Sequence, residues 1–182
     1  KLLAAIEAYK QAIASSPEDP VVYVALARTQ VFAGQYKDAQ TSAESAILLN
    51  NNDSNAYAVL AWALDFHGDT IQAEDNIKRA LELDPNNALA HAYYAEILVD
   101  SFNNGTGAVG AIEKAIDQSK VAIALAPDTL ETHRARGYVL EGTSNYEEAI
   151  REYEAANAIN PNIADLHLAL GRNNRTLGIY DK

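Results

Sequence analysis

The sequence lacks cysteine and methionine and is poor in proline, tryptophan and positive charge. Without cysteine, the chain has no disulfide framework, no thiol nucleophile and no thiolate-bound metal. Lys and Arg number 14 against 25 Asp and Glu, so the formal net charge is −11. Because phosphates repel such a chain, we expect no nucleic-acid partner. No apolar run approaches the roughly 18 residues of a membrane-spanning helix, so we also expect no membrane span.

A 34-residue segment, residues 54–87, organises the rest of the chain. Its first half places apolar residues at helical spacing, at Tyr57, Leu60, Ala61 and Leu64. Its second half repeats that spacing at Ala73, Ile77, Ala80 and Leu81. Gly68 between them suits the left-handed conformation that ends a helix, and Pro85 cannot continue the second helix. Each helix has about 14 residues and is marginal alone, so the unit needs stacked neighbours.

The same unit recurs on both sides, which predicts an all-α fold built as one array over residues 1–182. The parts of this array are a lone second helix, four full repeats and a lone first helix, at residues 1–19, 20–53, 54–87, 88–129, 130–163 and 164–182. Repeat 88–129 carries eight extra residues. The Gly-rich stretch 102–110 accounts for them and is expected to form an exposed loop. Such a loop is either neutral variation at a surface turn or a specific partner contact. Because the chain opens on Lys1 and has no Met, we expect it to be a fragment of a longer protein.

This unit resembles the tetratricopeptide repeat, a 34-residue helix–turn–helix with small residues where its two helices touch. The matching small residues in first helices are Ala27, Ala61, Ala95, Gly137 and Gly171. Those in second helices are Ala12, Ala46, Ala80, Ala122 and Ala156. The resemblance covers nearly the whole chain in about five repeats with truncated ends. It implies a right-handed superhelical solenoid of antiparallel helix pairs that acts as a non-catalytic protein–protein interaction scaffold, without a cofactor.

In that family the first helices line a concave groove, and set positions along them face the ligand. Carried over to this sequence, the resemblance implies that the groove residues are Val24, Arg28, Phe32, Trp62, Asp65, Phe66, Glu96, Asp100, Arg134 and Tyr138. The same positions further along are held by Glu131, Glu141, Asp165, Leu168 and Arg172. Aromatic anchors flanked by charge suit a peptide groove. The acidic bias at its centre favours a partner segment that is apolar and carries Lys or Arg. Two alternatives stay open: Trp62 packs against its own neighbours, and the acidic side chains form only a solvated surface.

The histidines do not predict a metal site. His91, His133 and His167 occupy one equivalent position in three successive first helices, where earlier repeats have Tyr. Equivalent atoms of packed helices lie on the order of 10 Å apart, too far to share a zinc ion with ligand bonds near 2 Å. We therefore expect a packing role for them. No nucleophile–base set is present either, so we predict that the chain is not an enzyme.

Three interpretations of the function follow. The first is a binding module that holds a peptide segment of a partner in its groove. The second is a self-assembling protein, since the end helices are expected to leave apolar residues without full cover. These residues are Ile6, Tyr9, Ile13, Leu166, Leu170 and Leu177. The third is the repeat segment of a larger multidomain enzyme.

Overall fold

A computed structural model describes residues 1–179, and over them the chain forms ten α-helices and no strand. The helices are α1 (Leu2–Ser15), α2 (Pro20–Phe32), α3 (Tyr36–Leu49), α4 (Ser54–His67), α5 (Thr70–Leu83), α6 (Ala88–Asn103), α7 (Ala111–Leu125), α8 (Leu130–Gly142), α9 (Tyr146–Ile159) and α10 (Ala164–Thr176). The predicted all-α solenoid class is thereby confirmed. Among the described residues, no helix is both long and apolar enough to cross a membrane.

The helix ends follow from local side-chain chemistry, as the pair α4 and α5 shows. The Asp53 carboxylate accepts a hydrogen bond of 2.9 Å from the Asn55 amide and so caps the start of α4. Gly68 ends that helix with φ of 93°, a conformation that favours glycine. Asp69 then accepts a hydrogen bond of 3.1 Å from the Gln72 amide and begins α5. The turn is therefore complete within two residues, which brings the two helices of the pair together.

The chain folds as two compact units, the first formed by Lys1–Ala90 and the second beginning at His91. In the first unit, α2 packs on α3 and α4 packs on α5, while α1 packs on α2 and α3 packs on α4. Small residues lie at these contacts: Ala27, Ala43, Ala61 and Ala80 are fully buried. They let the helix backbones approach closely, as the sequence pattern predicts. That all 182 residues form a single array stays a prediction.

In the second unit, α8 packs on both α7 and α9, and α10 packs on α9. The contact between α8 and α9 depends on Gly137. A Cβ atom added there would lie 2.8 Å from two carbons of the Tyr153 ring, a distance that real Cβ contacts do not reach. The ring thus fills a slot that only glycine provides. Tyr153 is buried as a result.

The inserted segment forms a defined loop after a lengthened α6. This helix ends at Asn103, two residues beyond the predicted end. The amides of Thr106 and Gly107 both donate to the Ser101 carbonyl, at 2.9 and 2.8 Å. Gly107 lies so close to this turn that an added Cβ would meet the Phe102 nitrogen at 2.9 Å. The loop is therefore well packed against the end of α6, yet it leaves the side chains of Phe102 and Val109 exposed.

The end helices are better covered than the sequence indicates. Ile6 is only 2% exposed and Leu166 is fully buried, because α1 packs on α2 and α10 packs on α9. The expectation that both residues lack cover is therefore wrong. Tyr9, Ile13 and Leu170 are half-buried, and Leu177 is exposed, so the open surface of these helices is narrower than predicted.

Candidate functional site

Four aromatic rings meet in the first unit, around the predicted groove residue Trp62. Phe32 lies edge-on to Trp62 with ring centroids 5.0 Å apart, and Phe66 does the same at 5.6 Å. Tyr36 stacks on Phe66, again with a centroid distance of 5.0 Å. Trp62 has no exposed surface, whereas Phe66 is 37% exposed. The cluster thus has Trp62 in its interior and Phe66 at its surface.

This geometry corrects the expectation that Trp62 faces an open groove. The alternative, that it packs against its own neighbours, fits the described structure. Neighbouring helices lie 8–10 Å apart, so the Phe32 ring of α2, one turn beyond the position equivalent to Trp62, reaches the Trp62 ring of α4 and helps to bury it. Asp65 is buried as well, Val24 is half-buried, and Arg28 is exposed. Their contact with a ligand stays a prediction.

The second unit contains a half-open pocket of about 150 Å³. Its walls come from α6, α8, α9 and α10 and are formed by Glu96, Arg134, Tyr138, Tyr153, Asp165, Leu166, Leu168, Ala169 and Arg172. Six of these residues occupy positions that the family resemblance marks as ligand-facing: Glu96, Arg134, Tyr138, Asp165, Leu168 and Arg172. Positions that the resemblance marks on three successive first helices therefore border one pocket.

An ion pair between Arg134 of α8 and Glu96 of α6 forms part of the pocket wall. The two side chains are only 9% and 4% exposed. Burial is the largest influence and disfavours the Arg134 cation, but the attractions of Glu96, Tyr93, Tyr153 and Asp165 together outweigh it, so the pKa of Arg134 lies above its usual value. Arg134 is therefore charged and held against Glu96. They form a fixed part of the site.

Arg172 of α10 and Glu141 of α8 form a second pair, with two parallel hydrogen bonds of 2.5 and 2.9 Å. The Tyr153 hydroxyl also donates to Glu141, at 2.9 Å. Burial is the largest influence on Glu141 and would raise its pKa, but hydrogen bonds from Arg172, Asn173 and Tyr153 and the charge of Arg172 together lower that pKa. Burial, together with the charge of Glu141, raises the pKa of Tyr153. Tyr153 thus remains a phenol that donates to a carboxylate.

The polar residues predicted to meet a ligand also bind one another across neighbouring first helices. In addition to the two ion pairs, the Tyr138 hydroxyl of α8 donates to Asp100 of α6. Two of the carboxylates behind the expected acidic bias, Glu96 and Glu141, are therefore paired with arginines. Asp165 at the start of α10 differs, because its carboxylate is exposed at the edge of the pocket.

Three pocket residues, Tyr153, Leu166 and Ala169, are absent from the positions predicted to face a ligand. Tyr153 lies on a second helix, which the family resemblance assigns to packing. A sequence signal for its placement exists, since Gly137 is the small residue opposite it and leaves room for a large ring. Leu166 and Ala169 are core residues whose inner edges border the pocket.

The three equivalent histidines bind residues of the same unit. His91 shares a hydrogen bond of 2.6 Å with Gln118 of α7, and His133 shares one of 2.7 Å with Glu152 of α9. His167 lies 3.0 Å from the Pro161 carbonyl oxygen. Over residues 1–179, no group of three or more His, Cys, Asp or Glu side chains is arranged to hold a metal ion. The first two histidines thus link a first helix to the second helix that follows it.

Structures of known proteins share this fold. A thermophilic repeat protein from Thermus thermophilus has 24% identity and a TM-score of 0.68, covering 94% of this chain and 90% of its own. The human IFIT1 dimer with m7Gppp-AAAA has 18% identity and a TM-score of 0.73, covering 98% of this chain and 43% of its own. The Cut9–Hcn1 hetero-tetramer of the APC/C has 16% identity and a TM-score of 0.69, covering 97% of this chain and 34% of its own. At these identities the likeness shows the fold alone.

No curated protein matches the chain. Family models, in contrast, match along most of its length. Three models, each described as a tetratricopeptide repeat, match residues 1–63, 58–128 and 135–163. They agree with the helix pairs, the small residues at the helix contacts and the 34-residue period. The chain therefore belongs to the tetratricopeptide repeat family.

Proposed function

We propose that this chain is a protein-interaction scaffold that holds a segment of a partner protein at the pocket of the second unit. One observation carries the proposal: ligand-facing positions of α6, α8 and α10 line a single half-open pocket. Side chains from three separate helices meet there. The Glu96–Arg134 pair links α6 to α8, and the Glu141–Arg172 pair links α8 to α10. The pocket thus offers a partner both apolar wall and fixed charge.

The size and lining of the pocket suit one apolar side chain. A cavity of about 150 Å³ is large enough for a benzene ring, so a Leu or Phe side chain of the partner fits. Leu166, Leu168 and Ala169 supply apolar wall, and Tyr138 and Tyr153 supply ring surface. Burial of one such side chain contributes about 1.5–3 kcal/mol. We therefore assign this pocket to a single anchoring residue.

The charge at the edge of the pocket favours a basic residue beside that anchor. Asp165 is exposed, while Glu96 and Glu141 are already engaged by Arg134 and Arg172. A Lys or Arg next to the anchor meets the one carboxylate of the pocket wall that is open to solvent. This refines the predicted partner, an apolar segment carrying Lys or Arg.

The first unit contributes by a different surface. Phe66 is part-exposed and rests on Trp62 and Tyr36, so it is a rigid apolar contact. The exposed Arg28 adds a positive charge on α2. We propose these two as additional partner contacts, with Trp62 supporting Phe66 from within.

A pocket-filling variant tests the proposal. Ala169→Leu places extra methyl groups in the pocket and should weaken binding of peptides with a Leu or Phe anchor about tenfold or more, since it takes the space of the anchor. Ala158→Leu, at an exposed alanine of α9, is the matched control. Binding is measured by fluorescence anisotropy with labelled peptides that pair an anchor with Lys. Equal binding by both variants and the wild type would contradict the assignment.

A charge exchange tests the role of Asp165 separately. Asp165→Lys should weaken binding of the Lys-bearing peptide. It should strengthen binding of the same peptide with Glu in place of Lys. If the Lys-bearing peptide binds the wild type and Asp165→Lys equally, Asp165 does not contact the basic residue. The assignment of the pocket to an apolar anchor would still stand.

A second candidate function is self-association through the end helices, and the burial of α1 favours it. Ala5, Tyr9 and Ala12 of α1 are only half-buried. The equivalent residues of the other second helices are fully or almost fully buried, namely Ala39, Ala43 and Ala46 in α3, Ala73, Ile77 and Ala80 in α5, and Ala149, Tyr153 and Ala156 in α9. Among the described residues, one side of α1 thus lacks the cover that its counterparts have, and either a second copy or a segment outside the given sequence can supply it. Sedimentation equilibrium of the chain over a wide concentration range tests this, and a constant monomer mass would contradict it.

A further inference from the structure

Charged and aromatic side chains form most of the wall of the pocket in the second unit. Of its nine lining residues, four are charged and two are tyrosines, namely Glu96, Arg134, Asp165, Arg172, Tyr138 and Tyr153. A saturated side chain that filled the pocket would take water from these groups without interacting favourably with their charge. An aromatic ring differs, because its face is negative and its edge is positive. It can therefore interact with a cation over its face and with a carboxylate at its edge.

Tyr153 provides one aromatic wall, and two contacts hold its ring in place. A Cβ atom added to Gly137 would lie 2.8 Å from two carbons of this ring, so the ring rests directly on α8. The hydroxyl donates a hydrogen bond of 2.9 Å to Glu141. The side chain is only 2% exposed. The ring cannot turn away without losing this hydrogen bond, so it presents the same surface to any occupant of the pocket.

Tyr138 provides a second aromatic wall and is held in a similar way. Its hydroxyl donates to Asp100 of α6, while its half-buried ring borders the pocket. Both tyrosine rings are thus fixed before an occupant arrives. Aromatic pairs favour offset or edge-to-face contact and are worth more than their buried area alone. These two walls therefore favour an aromatic occupant.

Arg172 places a cation at the same pocket. Its Nε and Nη2 atoms donate to Glu141 at 2.5 and 2.9 Å. Parallel hydrogen bonds of this kind lie in the plane of the guanidinium group, so they occupy its edge and not its faces. The hydrogen bond to Glu141 raises the pKa of Arg172, so the group stays charged. A planar guanidinium stacks on aromatic rings, whereas a lysine ammonium acts as a point charge.

The size of the pocket limits the occupant to a single ring. Its volume of about 150 Å³ matches that of a cavity that binds benzene. A phenylalanine side chain fits this volume, whereas the two fused rings of tryptophan exceed it. Leucine fits as well, but it offers no ring face to Arg172.

We propose that the pocket selects phenylalanine as its anchor over leucine and tryptophan. Arg172 contacts the face of the anchor ring, and Tyr138 and Tyr153 contact the ring edge-on or offset. This inference rests on the proposed function, since it names the side chain that the same pocket takes. Arg172 is thereby a specificity-determining residue in addition to its role in linking α8 to α10.

Peptides that differ only at the anchor test this selection by fluorescence anisotropy. Each carries a Lys beside the anchor, and the anchors are phenylalanine, cyclohexylalanine, leucine and tryptophan. Cyclohexylalanine has the carbon skeleton of phenylalanine without its π-system, so burial of apolar surface alone predicts equal binding. Phenylalanine should bind about tenfold more tightly than each of the other three. Equal binding of the phenylalanine and cyclohexylalanine peptides would overturn the aromatic selection.

Arg172→Lys tests the contact between the guanidinium group and the ring. The variant keeps the positive charge beside Glu141 but loses the planar group, so the ratio of phenylalanine to cyclohexylalanine affinity should fall about threefold or more. Arg175→Lys makes the same change at an exposed arginine of α10 and is the matched control. A substitution that only loosened the pocket would weaken both peptides and leave the ratio unchanged. An unchanged ratio in Arg172→Lys would therefore overturn the role of Arg172.

The pocket-filling variant Ala169→Leu distinguishes failure of this inference from failure of the proposed function. If Ala169→Leu weakens the phenylalanine and cyclohexylalanine peptides alike, and the wild type binds them equally, the pocket stands and only the aromatic selection is refuted. If none of the peptides binds, or if Ala169→Leu leaves the binding of all of them unchanged, the pocket does not hold the anchor. Both the proposed function and this inference would then be overturned.

Discussion

The two equivalent glycines, Gly137 and Gly171, should respond in opposite directions to the same substitution. Alanine in a helix interior is favoured over glycine by about 1 kcal/mol. At Gly171 nothing lies within 4 Å of the added Cβ. The free energy of unfolding should therefore rise by about 0.5–1 kcal/mol. This gain is expected for the monomer and must be measured at concentrations below those of any association.

At Gly137 the same methyl group meets the Tyr153 ring at 2.8 Å. Carbon atoms pack best about 3.5–4.0 Å apart, so the ring or one of the helices must move. Overpacking of this kind costs about 1–3 kcal/mol. After the helix gain of about 1 kcal/mol, Gly137→Ala should be destabilising by about 0–2 kcal/mol. Because that gain cancels between the variants, their stabilities should differ by about 1–3 kcal/mol.

Urea unfolding followed by circular dichroism measures both variants, and hydrogen exchange of α8, α9 and α10 locates the change. Local measurement is needed because repeat arrays can unfold in parts. Tyr153→Leu serves as the second arm of a double-mutant cycle. Without the ring, Gly137→Ala should become stabilising like Gly171→Ala. The reasoning is refuted if the two alanine variants have equal effects, or if the cost at Gly137 persists after the ring is removed.

Three further predictions follow from the buried residues. Trp62 should show blue-shifted fluorescence and weak acrylamide quenching in the folded chain, and free quenching would contradict its burial. Glu96→Gln leaves the Arg134 cation buried without its carboxylate and should cost about 3–5 kcal/mol of unfolding free energy, whereas replacing both residues with methionine should cost much less; urea denaturation distinguishes the two. The lowered pKa of Glu141 means that its contribution to stability is present above about pH 4.5 and is lost as pH falls through the lower folded-state value. Glu141→Gln should therefore reduce the fall in unfolding free energy at acid pH. If the fall is unchanged, the pairing of Glu141 with Arg172 does not contribute to it.

Much of the fold could be predicted because its signals are local. The spacing of apolar residues, the helix-ending Gly68 and the capping Asp53 and Asp69 act within one or two turns. The loop predicted at residues 102–110 begins two residues later in the structure, because α6 continues to Asn103. The slot at Gly137 also had a sequence signal, since a small residue at a helix contact leaves room for a large one opposite.

The sequence could predict where the candidate site residues lie along the helices, but not which of them are buried or paired. The repeat register by itself determines that Glu96, Tyr138 and Arg172 occupy equivalent places on successive first helices, with Arg134 one turn before Tyr138. Only the tertiary structure decided that Glu96 binds Arg134, that Glu141 binds Arg172, and that Trp62 is covered by rings from its own and a neighbouring helix. The physical reason is distance: periodicity assigns a side chain to a helix face, whereas burial and pairing depend on how closely the next helix approaches that face.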